Sequence, residues 1–418
     1  MSERRANILL QFEQVLKKAS EKHASDLHLK AGLPPIIRVN GQLFYLGDTQ
    51  PDSPSRLSLE TINEFISVLM TQRQYDRYEA GEEIDLSYEV AGGGRFRINI
   101  CRQRSKPRLV CRYIPDYIRA FGELSLPNIV ENFAQATRGL VLVTGATGSG
   151  KSTTLASMVD YIARTRSCHI VTIEDPIEFI LKDRKAIITQ REVGMDTQGF
   201  AKALKYALRQ DPDVILVGEM RDEETISMAL NAAETGHLVL STLHTVDAPE
   251  TVNRILGSVA HGMHGALRAQ LASVLVGVVS QRLIRRKDNR GRVPATEVLV
   301  CNQRVKDMIA DPTRTANLAQ VIEEGEAYGM QTFDQSLMKL FRDGFITRDE
   351  AVANCSNQHD FTMRLQGVVG GDWRSQDGRR PPPLDEDENG DPGTQGEEAG
   401  TNIEIEGVIK GIVSRRRK

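Results

Sequence analysis

Four short apolar runs, each followed by polar or acidic residues, constrain the fold of this chain more than any other feature. They are "LVLVTG" from residue 140, "HIVTIED" from 169, "DVILVGE" from 213 and "HLVLSTLH" from 237. Segments of ten or more residues with helical spacing separate them. Because strands that alternate with helices form parallel sheets, the pattern predicts an α/β domain with a mostly parallel sheet flanked by helices.

The residues before these runs predict a small α+β domain over 1–113. Residues 7–23 have apolar positions at helical spacing, and "SDLHLKAGLPPIIRVNGQLFYL" alternates around an Asn40-Gly41 pair, which is typical of a hairpin. A helical stretch near 59–79 and further alternating segments complete this domain.

The second domain is predicted to span residues 114–368. Its last part, from about 263 to 366, is expected to be mainly helical, broken by turns such as 288–291.

The segment 369–418 is predicted to be a disordered tail, because it is rich in proline, glycine and acid. Residues 385–406 carry nine acidic and no basic side chains, and "GVIKGIVSRRRK" follows them. This composition suggests a flexible tether that ends in a docking or membrane-surface segment, with a plain disordered tail as the alternative.

Composition excludes several protein classes. A formal charge of −3 gives no whole-chain reason to expect nucleic-acid binding. The sequence lacks both an apolar stretch long enough to span a bilayer and a signal peptide, so we expect a cytoplasmic protein. Five cysteines without a C-x-x-C pair suggest neither a disulfide framework nor a zinc site.

The segment "GATGSGKSTT" has the spacing of a phosphate-binding loop and lies between an apolar strand and a helix. Backbone N–H groups of such a loop surround a polyphosphate, while Lys151 reaches the β- and γ-phosphates and Ser152 offers its hydroxyl to Mg²⁺. The predicted nucleotide-binding residues are Gly145, Ala146, Thr147, Gly148, Ser149, Gly150, Lys151, Ser152 and Thr153.

Acidic or other polar residues follow the other apolar runs at the ends where a parallel sheet binds its ligands. A hydrolytic site needs one carboxylate to orient or deprotonate water and another near Mg²⁺. We therefore expect the following side chains to converge near the nucleotide: Glu174, Asp175, Glu178, Glu219 and His244.

The blocks "GATGSGKSTT", "TIEDPIEF", "ALRQDPDVILVGEMRDEETI" and "AAETGHLVLSTLHT" resemble those of secretion-superfamily ATPases. More specifically, the chain resembles the PilT-type retraction ATPases of type IV pili, over about residues 5–368. This resemblance implies a RecA-like P-loop motor domain preceded by a PAS-like domain, with ATP and Mg²⁺ as ligands.

The resemblance also implies roles for individual residues. Glu178 is the expected catalytic base, which spacing alone does not distinguish from Glu174. Glu219 is expected near Mg²⁺, directly or through water. His237 and His244 are expected near the γ-phosphate, although two such histidines could equally cap a strand and a loop.

Further cations are expected to act on the transferred phosphate, because enzymes of this type add an arginine to the P-loop lysine. Family positions suggest that Arg97 and Arg112 reach the nucleotide across a subunit boundary, and Arg138 is a third candidate. Solvent-exposed strand arginines are the alternative.

The implied assembly is a homohexamer in the cytoplasm, peripherally associated with the inner membrane at the pilus base. Its expected partners are an inner-membrane platform protein and a second retraction ATPase, with no nucleic acid. The block "QRVKDMIADPT" departs from the family pattern, which leaves an accessory PilU-like role open.

Three further functions fit parts of the pattern. An extension or type II secretion ATPase is disfavoured by the missing C-x-x-C pairs. A RecA-like nucleic-acid motor would use basic patches such as "RLIRRK", which more often are solvated surface. An ATP-binding protein without turnover is disfavoured by Glu178 and Glu219.

Overall fold

The computed structural model describes residues 3–39, 41–47, 53, 55–114 and 117–366. They divide into two compact units, one before and one after residues 115–116. The predicted tail and its docking segment lie outside the described residues. No helix in these ranges is both long and apolar enough to cross a membrane.

The N-terminal unit is a six-stranded antiparallel sheet in the order β3-β2-β1-β6-β5-β4, with three helices. Its strands are β1 (Asp26–Lys30), β2 (Ile36–Val39), β3 (Gln42–Tyr45), β4 (Ile84–Val90), β5 (Gly94–Gln103) and β6 (Lys106–Ile114). The helices are α1 (Glu3–Glu21), α2 (Leu59–Leu69) and α3 (Gln72–Glu79).

Apolar and polar residues alternate along these strands and give the sheet one apolar face. This face and the helices form the core of the unit. Leu27 of β1 and Ile98 of β5 are fully buried in one cluster with Phe12 of α1 and Phe65 of α2. The unit is thus an α+β domain, as its patterning predicts; its PAS-like character stays a prediction.

The second unit contains a seven-stranded sheet in the order β13-β12-β7-β11-β10-β8-β9. All neighbouring strands are parallel except β12 and β13, so the predicted mostly parallel sheet is confirmed. The strands are β7 (Gly139–Thr144), β8 (His169–Glu174), β9 (Ile187–Glu192), β10 (Val214–Val217), β11 (Leu238–Leu243), β12 (Leu275–Arg285) and β13 (Arg292–Val300).

Helices cover both faces of this sheet. Leu140 and Leu142 of β7 pack into one apolar cluster, and the intervening Val141 and Val143 pack into another, because successive strand side chains point to opposite faces. The helices up to β12 are α4 (Phe121–Leu124), α5 (Ile129–Gln135), α6 (Lys151–Thr165), α7 (Phe200–Ala207), α8 (Glu223–Glu234), α9 (Ala248–Leu256) and α10 (His264–Val274).

The expectation of a mainly helical segment from 263 to 366 is wrong for β12 and β13. Residues 288–291 form the turn of this strand hairpin. The β-branched residues in "LVGVVSQRLI" favour a strand, and pairing with β7 fixes it as one. The rest of the segment is helical, with α10 before β12 and five helices after β13: α11 (Gln303–Ala310), α12 (Leu318–Glu324), α13 (Phe333–Arg342), α14 (Arg348–Asn354) and α15 (Gln358–Leu365).

Candidate active site

The glycine-rich loop 145–150 connects the end of β7 to the start of α6. A Cβ added to Gly145 would lie 2.5 Å from the carbonyl oxygen of Gln281, so only glycine fits there. Gly150 has a φ of +94°, which a side chain would disfavour, and α6 begins at the next residue. A glycine-rich loop that leads into the start of a helix offers backbone N–H groups to a ligand, the arrangement that binds phosphates.

Lys151 lies at the end of this loop with its side chain folded back on the loop backbone. Its Nζ donates to the carbonyl oxygens of Gly145 and Ala146 over 2.8 and 2.9 Å. Burial lowers the pKa of the ammonium, and the charges of Glu219 and Glu178 act in the opposite direction. Lys151 is thus a cation held among acceptors and facing two carboxylates.

A pocket opens at the carboxyl ends of β7, β8, β10 and β11, beside the loop. The acidic and imidazole side chains expected to converge do so: the lining includes Thr147, Gly148, Lys151, Ser152, Glu174, Asp175, Glu178, Glu219 and His244. The other five predicted loop residues, Gly145, Ala146, Ser149, Gly150 and Thr153, belong to the loop or the first turn of α6 and are not among the residues that line this pocket.

The structure separates the two glutamates that spacing could not distinguish. Glu174 accepts hydrogen bonds from Thr172 Oγ1 over 2.6 Å and from Gln190 Nε2 over 3.1 Å. Its burial raises the pKa of the carboxyl, although these bonds oppose that shift. Glu178 is exposed where it lines the pocket. Glu178 is therefore the carboxylate with room to approach a bound water.

Glu219 follows β10 and is contacted by two side chains. Arg221 Nε donates to its Oε1 over 2.5 Å, and His244 Nε2 lies 3.5 Å from the same oxygen. The Arg221 side chain is 71% exposed, whereas that of Glu219 is 18% exposed. A largely buried carboxylate is thus paired with a cation that is free to move into solvent.

The expectation that both histidines lie near the γ-phosphate is wrong for His237 within one chain. His237 precedes β11 at the amino end, where its carbonyl accepts from Gly139 N–H and its Nδ1 lies 2.9 Å from the Ala232 carbonyl oxygen. The pocket is at the carboxyl end, and β11 has six residues at about 3.3 Å each, so its two ends lie roughly 20 Å apart. His237 here has the strand-capping role.

Arg138 lies at the same amino edge, directly before β7, and is exposed. The length of β7 separates it from the loop of its own chain, so it could reach a nucleotide only in a neighbouring subunit.

Arg97 and Arg112 belong to the N-terminal unit, on the neighbouring strands β5 and β6. They are directly opposite each other in the register of the sheet. Arg112 Nε donates to Asp26 Oδ1 over 2.9 Å, and Arg97 Nε lies 3.5 Å from Asp85 Oδ1. Both arginines are therefore held by carboxylates of their own sheet.

Sequence reasoning missed Arg221 and the residues of β12 that pack against the loop. Arg221 lies two residues after Glu219, within "VGEMRDEET", so its proximity to that carboxylate could have been inferred from the sequence. The β12 residues could not be assigned because that segment was expected to be helical.

The chain is similar to known proteins over most of its length. Residues 123–353 match the family model described as "Type II/IV secretion system protein". The chain is similar to a twitching motility protein of Neisseria gonorrhoeae, at 43% identity over 329 residues, 79% of this chain and 86% of the relative. It is also similar to the type IV pilus retractation ATPase PilT of Pseudomonas aeruginosa, at 42% identity over 342 residues, 82% of this chain and 97% of that protein.

Among solved structures, the chain is similar to the pilus retraction motor PilT with bound ADP. The TM-score is 0.76 at 43% sequence identity, and the match covers 83% of this chain and 98% of that one.

Proposed function

The chain belongs to the type II/IV secretion system protein family, and we propose that it is a PilT-type ATPase, a motor that hydrolyses ATP to power type IV pilus retraction and twitching motility. The observation that carries this proposal is the pocket in which Lys151 and Ser152 face Glu178 and Glu219. The ADP-bound relative supports the nucleotide as its ligand.

The loop fits a nucleoside triphosphate. No heavy atom lies within 4 Å of a Cβ built on Gly148, so the loop is open there, and the loop N–H groups and Lys151 supply donors and positive charge. In this proposal, Lys151 exchanges its two carbonyl acceptors for phosphate oxygens.

Ser152 and Glu219 are the residues that would hold Mg²⁺, with Glu219 acting directly or through water. Both line the pocket, and hydroxyl and carboxylate oxygens suit this hard cation. When bound, Mg²⁺ neutralises charge on the phosphates.

Glu178 is the proposed base. It lies on the loop after β8 and is exposed to the pocket, so it can accept a proton from an attacking water. His244 lies beside Glu219 and lines the same pocket, which suits it to respond to the γ-phosphate.

The proposed assembly is a homohexamer in the cytoplasm, peripherally associated with the inner membrane at the pilus base. Arg97, Arg112 or Arg138 of a neighbouring subunit would supply the additional positive charge. The proposed partners are a platform protein of that membrane and a second retraction ATPase.

The Lys151→Ala variant tests the motor. We expect it to lose ATP hydrolysis and to keep its fold, because Lys151 bonds to loop carbonyls rather than to core side chains. Steady-state phosphate release and thermal unfolding measure the two properties. Lys202→Ala, which removes an exposed lysine of α7, is the matched control.

The same variant tests the cellular role. A strain that carries Lys151→Ala as its only copy should keep surface pili and lose twitching. Undiminished phosphate release by Lys151→Ala would contradict the ATPase proposal, whereas normal twitching without hydrolysis would contradict the retraction role alone.

A further inference from the structure

Strand β12 packs directly against the nucleotide loop. Its Gln281 carbonyl approaches Gly145 so closely that no side chain fits between them, and Leu283 lies within 4 Å of a Cβ placed on Gly150. The first and last glycines of the loop thus both lie against this one strand.

Two buried polar pairs join β12 to the segments that flank the loop. Thr144, the last residue of β7, donates through Oγ1 to Ser280 Oγ over 2.9 Å, and both residues are fully buried. Gln281 Nε2 donates to Thr154 Oγ1, in the first turn of α6, over 2.9 Å. Gln281 and Thr154 are each 2% exposed.

These pairs are unusual for the interior of a parallel sheet, which is normally apolar. A buried hydrogen bond of this kind contributes only about 1 kcal/mol net, but leaving one partner unsatisfied costs about 1–3 kcal/mol. Buried polar bonds also require a particular alignment of the two elements, which apolar contacts do not. The pairs therefore fix where the loop begins and where α6 starts.

We propose that Gln281, assisted by Ser280, is a positioning residue for the nucleotide loop. Gln281 is not among the residues that line the pocket; it sets the height and rotation of α6, and hence the direction of the loop N–H groups and of Lys151. This inference rests on the proposed function, since it assigns Gln281 to the same nucleotide site.

The chain contains a chemically matched pair for comparison. Gln331 Nε2 donates to Thr296 Oγ1 over 2.8 Å, and Thr296 lies on β13, one strand further from the loop. Breaking this pair removes the same kind of hydrogen bond at a place that does not contact the loop directly.

The test compares Gln281→Leu with Gln331→Leu in the full-length protein. Both variants should lower the midpoint of thermal unfolding measured without nucleotide. Only Gln281→Leu should weaken binding of a fluorescent ATP analogue and lower kcat/KM, by about tenfold or more, because small misplacements of a site are costly to catalysis.

Ser280→Ala provides a second, milder variant if Gln281→Leu fails to fold, and it should reduce kcat/KM in the same direction. The double variant Thr154→Val with Gln281→Leu should have a kcat/KM no lower than that of Gln281→Leu alone. The reason is that each single change already breaks the same interaction between the two side chains.

Equal losses of kcat/KM in Gln281→Leu and Gln331→Leu would overturn the positioning role, since the effect would then be general. Wild-type kinetics and binding in Gln281→Leu would overturn it as well, while leaving the proposed function intact. Failure of the wild-type protein to bind or hydrolyse ATP would instead contradict the proposed function.

Discussion

At the residue scale, the environment of Glu174 and Glu178 assigns them different tasks. Glu174 is enclosed by hydrogen bonds from Thr172 and Gln190, and the Glu178 backbone N–H also donates to its carboxyl. It therefore holds the turn after β8 in shape. Glu178, on that turn, presents its carboxylate to the pocket.

Exchange of each glutamate for glutamine separates these tasks. We expect Glu178→Gln to bind ATP normally and to lose at least roughly 100-fold in kcat, within the range general bases contribute. Glu174→Gln should retain most of its kcat, because glutamine still accepts the bonds from Thr172 and Gln190. Single-turnover hydrolysis and nucleotide titration provide the comparison; a reversed outcome would make Glu174 the base.

The convergence of acidic residues at the strand ends could be predicted from the sequence, because a parallel sheet brings the carboxyl ends of its strands together. The position of His237 could have been predicted in the same way, but the resemblance implied a role in the site that the strand direction does not support. Strand direction decides it: the histidine before β11 and the one after it must lie on opposite edges of the sheet.

At the scale of elements, β13 is tied to α9 through a buried carboxyl. Glu297 accepts the N–H of Ala248 over 2.8 Å, and its burial raises the pKa of the carboxyl to about 7. The helix that follows the His244 loop is thus anchored by a group that titrates near neutral pH.

Stability should depend on pH through Glu297. Its pKa in the folded chain lies above its ordinary value, so the native state retains a proton that the unfolded state has released, and stability falls as pH rises from about 4.5 to about 7. The unfolding midpoint of Glu297→Gln should therefore rise relative to that of the wild type as the pH increases from about 5 to about 8.

Thermal unfolding across this pH range measures the effect. Glu250→Gln is the matched control, because Glu250 accepts the Val246 N–H beside the same helix but is exposed. Parallel pH curves for wild type and Glu297→Gln would refute the role of Glu297.

The elements differ in how well sequence predicted them. Strands β7, β8, β10 and β11 were recognisable as apolar runs bounded by polar residues. β12 and β13 were not, because α10 runs directly into β12 and an apolar segment there fits a helix or a strand. Only pairing with β7, a contact with a distant part of the chain, decides between them.

At the scale of the whole molecule, hydrolysis should depend on assembly if an arginine acts across a subunit boundary. Arg112→Ala and Glu178→Gln should each be nearly inactive alone. Mixed subunits should regain activity, because some interfaces then carry an intact arginine and an intact glutamate. Phosphate release at varied mixing ratios, with subunit exchange confirmed by differently labelled chains, measures this recovery.

Mixtures of Arg138→Ala with Glu178→Gln serve as the comparison for the third candidate arginine. No recovery at any ratio in either mixture would leave the composite site without support.

The strand that carries the nucleotide loop also has a consequence for synthesis of the chain. β7 pairs with β11 and β12, neither of which is its neighbour in sequence. A ribosome must therefore translate to about residue 285 before β7 has both partner strands. The nucleotide loop is thus synthesised well before β12, the strand that packs against it. Such non-local pairing is slow to form and leaves strand edges exposed meanwhile. The nascent motor should thus depend on chaperones until β12 emerges.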